Sequence, residues 1–247
     1  MLTGLNRSGD RSGTDAVSIG NNYNAVTETM QGEQSLAERY SRLAQETPDR
    51  RRVDFELRAL DVILSTLFLV VAFPIAAMIG VGILLTSGRP VFYRGERVGR
   101  GGRIFSMTKF RTLKIGAESR LGHHLGVALV ERTEAEVTTM GRWLRATQLD
   151  EIPQFWNVLK GDMSLVGPRP IRPRFFEEFA EELPTYWQRL VVRPGLTGFA
   201  QVRRGYETSM VEKLAHDLEW IADRSVRLYL RALGATAWRV VRQLLHV

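Results

Sequence analysis

From Val62 to Gly88 the chain carries no charged residue, and it is the longest apolar run in the sequence. A bilayer-spanning helix needs about 20 apolar residues, so this run is long enough to cross a membrane. Two features favour a segment that enters and returns instead. Pro74 sits near the middle, where it removes a backbone donor and clashes with the carbonyl of Val70. Both flanks are basic: Arg50, Arg51, Arg52 and Arg58 precede the run, and Arg89, Arg94, Arg97, Arg100 and Arg103 follow it. The excess of lysine and arginine belongs on the cytoplasmic side, and a single span places one of these flanks outside. Asp61 is expected at the entry, at the membrane interface, paired with Arg58 one turn earlier.

After the apolar run the periodicity changes. Pro90–Phe105 alternates around a Gly101-Gly102 turn and predicts an extended or hairpin segment. Ser106–Leu113 alternates as a strand, which puts Lys109 and Arg111 on one face. That face is either solvated or a phosphate clamp. Ala117–Thr139 is polar and loosely patterned. Met140–Ala146 predicts a short helix carrying Arg142 and Arg145. The last stretch, Val226–Val247, is amphipathic. Arg227, Arg231, Arg239 and Arg242 oppose Leu228, Leu230, Trp238, Val241 and Leu245, so this helix lies in the headgroup plane or packs on the core.

The stretch Thr147–Pro170 holds the densest chemistry. It places the adjacent acids Asp150 and Glu151 shortly before a Gly-Pro-Arg-Pro turn. Pro153 limits where a helix starts, because its missing N–H is harmless only in the first turn. Asp150 is then the N-cap, with Glu151 at the first helical position; alternatively Thr147 caps, with Asp150 completing a box. A helix start also keeps an acid ionised and favours a bound phosphate. Asn157–Pro170 continues as a polar, glycine-punctuated segment. Pro168 and Pro170 stiffen the backbone around Arg169, whose guanidinium suits bidentate phosphate contact.

Composition narrows the classes. Apolar residues make up 44% of the 247, enough for a sizeable core, and the net charge is +7. A basic balance fits nucleic acid, an anionic membrane surface or phosphorylated substrates. The absence of cysteine excludes disulfides, thiolate catalysis and Cys-based metal sites. His123, His124, His216 and His246 show no metal-ligand spacing. Residues 1–50 are read as a polar, disordered tail with a short helix at Gln34–Ala44.

Taken in order, RALD, GRPVFYRGERVG, KFRTL, LDEIPQFWNVLKGDMSLVGPRP, RPGLTGFAQV and KLAHDLEWIADRSVRLYL resemble the bacterial monotopic phosphoglycosyl transferases, the polyprenyl-phosphate sugar-phosphate transferases. The resemblance runs from about Val53 to Val241. It implies an α+β, mostly helical, membrane-associated single domain over residues 51–247. That domain carries a re-entrant helix-break-helix at 58–88, a small β hairpin and interfacial amphipathic helices. The family's break is a Ser-Pro pair; here it is Phe73-Pro74, without the hydroxyl. Arg203–Gly205 reads RRG where many members have Asn-Gly-Arg. Many relatives carry an N-terminal multi-span domain, where this chain has its polar tail.

The resemblance also implies a mechanism. Asp150 is the covalent nucleophile on the β-phosphate of a UDP-sugar, and Glu151 is its dyad partner. UMP leaves, and polyprenyl (undecaprenyl) phosphate takes the phosphosugar, starting exopolysaccharide, capsule or O-antigen assembly. Mg²⁺ is the expected cofactor with Asp150 as a ligand, since it binds through one or two carboxylates plus substrate phosphates. Lys109, Arg111 and Arg169 are expected to hold phosphate, with Arg145 and Gln201 as further substrate contacts. The partners expected are donor, acceptor and inner-membrane lipid, with a homodimer as a further candidate and no nucleic acid. The site is expected on the cytoplasmic face of the inner membrane. The rival from another class is a non-catalytic membrane scaffold of the same fold.

Overall fold

The computed structural model describes residues 51–121, 132–203 and 209–244. The tail with its Gln34–Ala44 helix, His123, His124, His246 and the Arg204–Gly205 part of the RRG loop lie outside the described residues. The described chain is mostly helical, with two small two-stranded sheets and one long apolar helix.

That helix, α1, runs Arg51–Ser87 over 37 residues with Pro74 inside it. It is long and apolar enough to cross a membrane. The helix is continuous through Phe73 and Pro74, so the expected break is not a helix end. Proline removes its own bond to the Val70 carbonyl, and the flanking bonds of an apolar helix hold across that gap. Around it the side chains are open: Val70 is 69% exposed and Phe73 71%.

Both ends of α1 are fastened to one body. Near the start, Arg58 donates to the carbonyls of Val158 and Leu159 at 2.6 and 2.7 Å. Asp61 is 2% exposed, and Arg58 acts on it through its charge while its own hydrogen bonds go to the Val158 and Leu159 carbonyls. The Asp61 Oδ1 accepts from Ser164 Oγ at 3.0 Å, Leu165 N at 2.8 Å and Tyr229 Oη at 2.8 Å. The difference arises because α1 packs on elements a hundred residues away, which supply donors that local spacing does not reveal. At the other end, Arg111 Nη2 donates to the last carbonyls, Ser87 and Gly88, at 2.7 Å each.

A hairpin turns at Gly101-Gly102 as expected, but its second strand takes in the segment read as a separate strand and ends before Arg111. β1 (Phe92–Val98) pairs antiparallel with β2 (Ile104–Phe110), in register from Phe92↔Phe110 to Val98↔Ile104. Gly101 and Gly102 take φ of 66° and 80° in the turn, conformations that glycine enters without a Cβ penalty. Phe105 and Met107 are buried on one face, and Lys109 continues their parity.

After the short α2 (Ala117–Leu121) comes α3 (Thr139–Thr147), capped by Thr138 Oγ1 accepting from Gly141 N at 3.0 Å. Then follows α4 (Gln154–Lys160), ended by left-handed Gly161. Asn157–Pro170 is not an irregular polar segment. Asn157 is a fully buried helical residue, and β3 (Ser164–Val166) pairs in parallel with β4 (Gly195–Thr197). A Cβ on Gly195 would meet the Gly167 amide nitrogen at 2.1 Å, so the close approach of these backbones requires glycine. A strand this short, covered on both faces, leaves no alternation to read.

The remaining elements close the core. They are α5 (Pro173–Glu182), a 3₁₀ segment (Pro184–Val191), α6 (Phe199–Arg203), α7 (Met210–Asp223) and α8 (Val226–Leu244). Leu214, Leu218, Ile221 and Tyr229 are fully buried with Val158, Met163 and Leu57. A second cluster joins Ala72, Ile79 and Ile83 of α1 to Phe110, Leu144 and Ile152. The closing amphipathic helix divides its work: Tyr229 and Ala232 belong to the core, while Trp238 is 70% exposed.

Candidate active site

The acid pair sits in a 3₁₀ turn, Leu149–Glu151, between α3 and α4. Gln148 at φ 57° reverses the chain before it. Glu151 N donates to the Gln148 carbonyl at 3.2 Å, and Ile152 N to that of Leu149 at 3.3 Å. Neither expected cap forms. Helix α4 starts at Gln154 behind Pro153 with no side-chain cap. Thr147 Oγ1 bonds back to the Trp143 carbonyl at 2.9 Å. The turn's own bonds serve the amides that a cap would have served, so the Asp150 carboxylate is not spent on capping.

Asp150 is 8% exposed. Lys109 Nζ stands 2.5 Å from Glu151 Oε1 and 3.9 Å from Asp150 Oδ2. Burial pushes the Asp150 carboxyl above the ordinary aspartate value; Lys109 and Arg145 pull it down and Glu151 pushes it up. The hairpin delivers Lys109, and Asn157 fixes the hairpin to α4. Thr108 N donates to Asn157 Oδ1 at 2.9 Å, and Asn157 Nδ2 donates to the Ser106 carbonyl at 2.8 Å.

All seven side chains expected at the site, Lys109, Arg111, Arg145, Asp150, Glu151, Arg169 and Gln201, line one cleft of about 1440 Å³. Arg111 is 7% exposed. Its Nη2 holds the end of α1, while its buried Nε and Nη1 have no partner among the described residues. Arg145 Nε donates to Thr112 Oγ1 at 3.0 Å. The backbone carbonyl of exposed Arg169 accepts from Arg189 at 3.0 Å, and Arg189 is itself paired with buried Asp217 at 2.7 Å. Gln201 Oε1 is buried without a partner among the described residues.

Sequence reading did not place Arg97, Arg172 and Arg239 in this site, yet all three line the same cleft. Their signal was only the general basic charge. The cleft therefore carries seven cationic side chains against two carboxylates, a balance that suits a polyanionic ligand. Its other wall is apolar: Leu64, Leu67, Phe68 and Val71 come from α1. Among the described residues no group of three acidic or histidine side chains could hold a metal alone. Asp150 and Glu151 fit Mg²⁺ only as a pair sharing it with ligand phosphates.

Known proteins resemble this chain over most of its length. A family model described as bacterial sugar transferase matches residues 53–243. A UDP-glucose:undecaprenyl-phosphate glucose-1-phosphate transferase of Caulobacter vibrioides is 37% identical over 193 residues, 74% of this chain and 70% of the relative. A UDP-N-acetylgalactosamine-undecaprenyl-phosphate N-acetylgalactosaminephosphotransferase of Aeromonas hydrophila is 37% identical over 177 residues, 70% of this chain and 41% of the relative. A UDP-glucose:undecaprenyl-phosphate glucose-1-phosphate transferase of Xanthomonas campestris is 38% identical over 189 residues, 74% of this chain and 38% of the relative. The chain thus spans about two fifths of the length of the latter two.

Proposed function

This chain belongs to the bacterial sugar transferase family, and from that membership we propose that it moves a sugar-1-phosphate from a UDP-sugar to polyprenyl phosphate. The product starts bacterial glycan assembly. One observation carries the reading. Asp150, not engaged in capping, lies in a cationic cleft whose far wall is the apolar face of α1. Phosphates need the cations, and a polyprenyl chain needs the apolar wall.

The chemistry is two displacements at one phosphorus. An oxygen of Asp150 bonds to the β-phosphorus of the donor, and the bond from that phosphorus to the bridging oxygen breaks. UMP leaves with the electron pair. A phosphate oxygen of the acceptor then bonds to the same phosphorus, the bond to Asp150 breaks, and the carboxylate is restored. A covalent intermediate divides one difficult step into two easier ones.

Lys109 opposes the upward pull of burial on the Asp150 carboxyl and pairs with Glu151. Arg111, Arg145, Arg169 and Gln201 line the part of the cleft where the substrate phosphates would lie. Asp150 and Glu151 would hold Mg²⁺ together with substrate phosphates, and the ion would supply charge neutralisation between donor and acceptor.

The site sits at the cytoplasmic face of the inner membrane, with α1 entering and leaving by that face. Both its ends are tied to the same body, and both its flanks are basic. Cysteines placed before Val62 and after Gly88 label only from the cytoplasmic side; labelling of one flank from outside establishes a span instead.

The testing experiment is UMP release over a panel of UDP-sugars with polyprenyl phosphate. Asp150→Asn is expected to lower it by about a thousandfold or more. Unchanged release in that variant removes the nucleophile assignment. Absence of release with every donor favours the non-catalytic scaffold.

A further inference from the structure

Lys109 reaches both acids of the site, at 2.5 Å from Glu151 and 3.9 Å from Asp150, yet it comes from a different element. It rides on β2, whereas the acids sit in the turn before α4. Side chains alternate along the strand. Lys109 pairs across the hairpin with Tyr93, and both line the main cleft. Thr108 pairs with Arg94, and these two line a separate groove together with Ser106. A slip of β2 by one residue against α4 turns Lys109 away from the acids, so its reach depends on whatever holds that register.

Asn157 of α4 holds it. Its Oδ1 accepts from the Thr108 amide at 2.9 Å, and its Nδ2 donates to the Ser106 carbonyl at 2.8 Å. These two backbone groups flank Met107 on one edge of β2, where a further strand would otherwise bond. The backbone groups of Met107 and Lys109 point to the opposite edge, so a one-residue slip leaves the amide nothing to meet. Nδ2 also donates to Asp162 Oδ2 at 3.2 Å, and Lys160 stands 2.9 Å from that oxygen, which fixes the orientation of the amide. The Asn157 carbonyl takes the Asp162 and Met163 amides at 3.1 and 3.3 Å. Asn157 is fully buried and lines neither the cleft nor the groove, so it acts on the chemistry only through what it holds.

We infer, resting on the proposed function, that Asn157 is a positioning residue: it sets the register of β2 and thereby places Lys109 at the acid pair. It meets no reacting atom. Asp150 and Glu151 directly precede α4, so the clamp ties the lysine of the hairpin to the helix that follows the acids. Its effect on phosphosugar transfer passes through Lys109 and vanishes where that lysine is absent.

The test is a double-mutant cycle on the full chain in nanodiscs, read as UMP release from a UDP-sugar that the wild type uses. Asn157→Ala is expected to lower kcat/KM about 30-fold when Lys109 is present, mostly through kcat. In the Lys109→Met background the same change is expected to cost less than about threefold. A merely structural defect costs the same factor in both backgrounds. A second readout needs no turnover: acylation of Lys109 by an amine-reactive reagent, located by mass spectrometry. It is expected to rise severalfold in Asn157→Ala, while labelling of Lys213 in α7 stays unchanged. Asn157→Ser, whose hydroxyl can meet one of the two strand groups, replaces Asn157→Ala if that variant does not fold. Equal factors in the two backgrounds, or unchanged Lys109 labelling in a folded variant, overturn the inference and leave the proposed function intact. A wild type that releases no UMP with any donor overturns the proposed function, and the labelling still decides whether Asn157 places Lys109.

Discussion

Tyr229 of α8 donates a hydrogen bond to Asp61 of α1 at 2.8 Å, across 168 residues of chain. The same carboxylate oxygen accepts from Ser164 Oγ and the Leu165 amide, so three elements meet on one acid. This polar node fixes the start of the apolar helix to the core and so sets where the apolar wall of the cleft stands. Tyr229→Phe is expected to lose about 1 kcal/mol of stability. Asp61→Ala leaves three buried donors without an acceptor and is expected to lose about 3 kcal/mol or more. Thermal unfolding of the detergent-solubilised protein measures both.

Asp150 and Lys109 predict a pH profile. Burial holds the Asp150 carboxyl above the ordinary aspartate value of 3.8, and Lys109 opposes that rise. The reactive form is the carboxylate, so activity falls as pH drops through the raised value. The acid limb of kcat/KM is therefore expected above the usual aspartate range. Lys109→Met removes the opposing charge, and the limb is expected to move to higher pH; a limb that stays in place rejects this electrostatic role.

The same shift has a stability consequence with a definite sign. Folded Asp150 holds its proton to higher pH than the unfolded residue does. Above pH 3.8 the folded state therefore retains more protons than the unfolded state, and stability declines as pH rises through that window. Asp150→Asn removes the burden of a buried charge. It is expected to raise the thermal midpoint at neutral pH, by about 2–4 °C for each kcal/mol recovered, while abolishing turnover. A lower midpoint contradicts the electrostatic picture.

Arg111 joins the end of α1 to the lining of the cleft. One nitrogen holds the final carbonyls of α1, and two others are unpartnered among the described residues. Arg111→Lys keeps a donor for Ser87 or Gly88 but loses the planar fork. Activity is expected to fall about 10- to 100-fold, with a small change in thermal midpoint. A large stability loss with activity retained reverses the assignment.

Arg189 links the core to the turn at Arg169. It is 5% exposed, pairs with Asp217 at 2.7 Å and donates to the Arg169 carbonyl. Asp217→Ala leaves a buried guanidinium uncompensated and is expected to cost about 3–5 kcal/mol. Denaturant unfolding monitored by tryptophan fluorescence reads that loss.

The apolar helix, the hairpin turn at Gly101-Gly102 and the short helix carrying Arg145 were legible in the sequence, while the seven side chains expected from the family resemblance share one cleft. They rest on local pattern: an uncharged run, alternation around paired glycines, helical spacing and short ordered motifs. Tertiary structure decided the rest, because it depends on partners far along the chain. Asp150 escapes a capping role because Gln148 turns left-handed and the next amides bond within the turn. Asp61 is held inside the protein because Ser164, Leu165 and Tyr229 converge on it. The pairing of Ser164–Val166 with Gly195–Thr197, too short to announce itself, sets the turn at Arg169 beside the cleft. Local pattern named the chemical groups; long-range packing set which of them face one another.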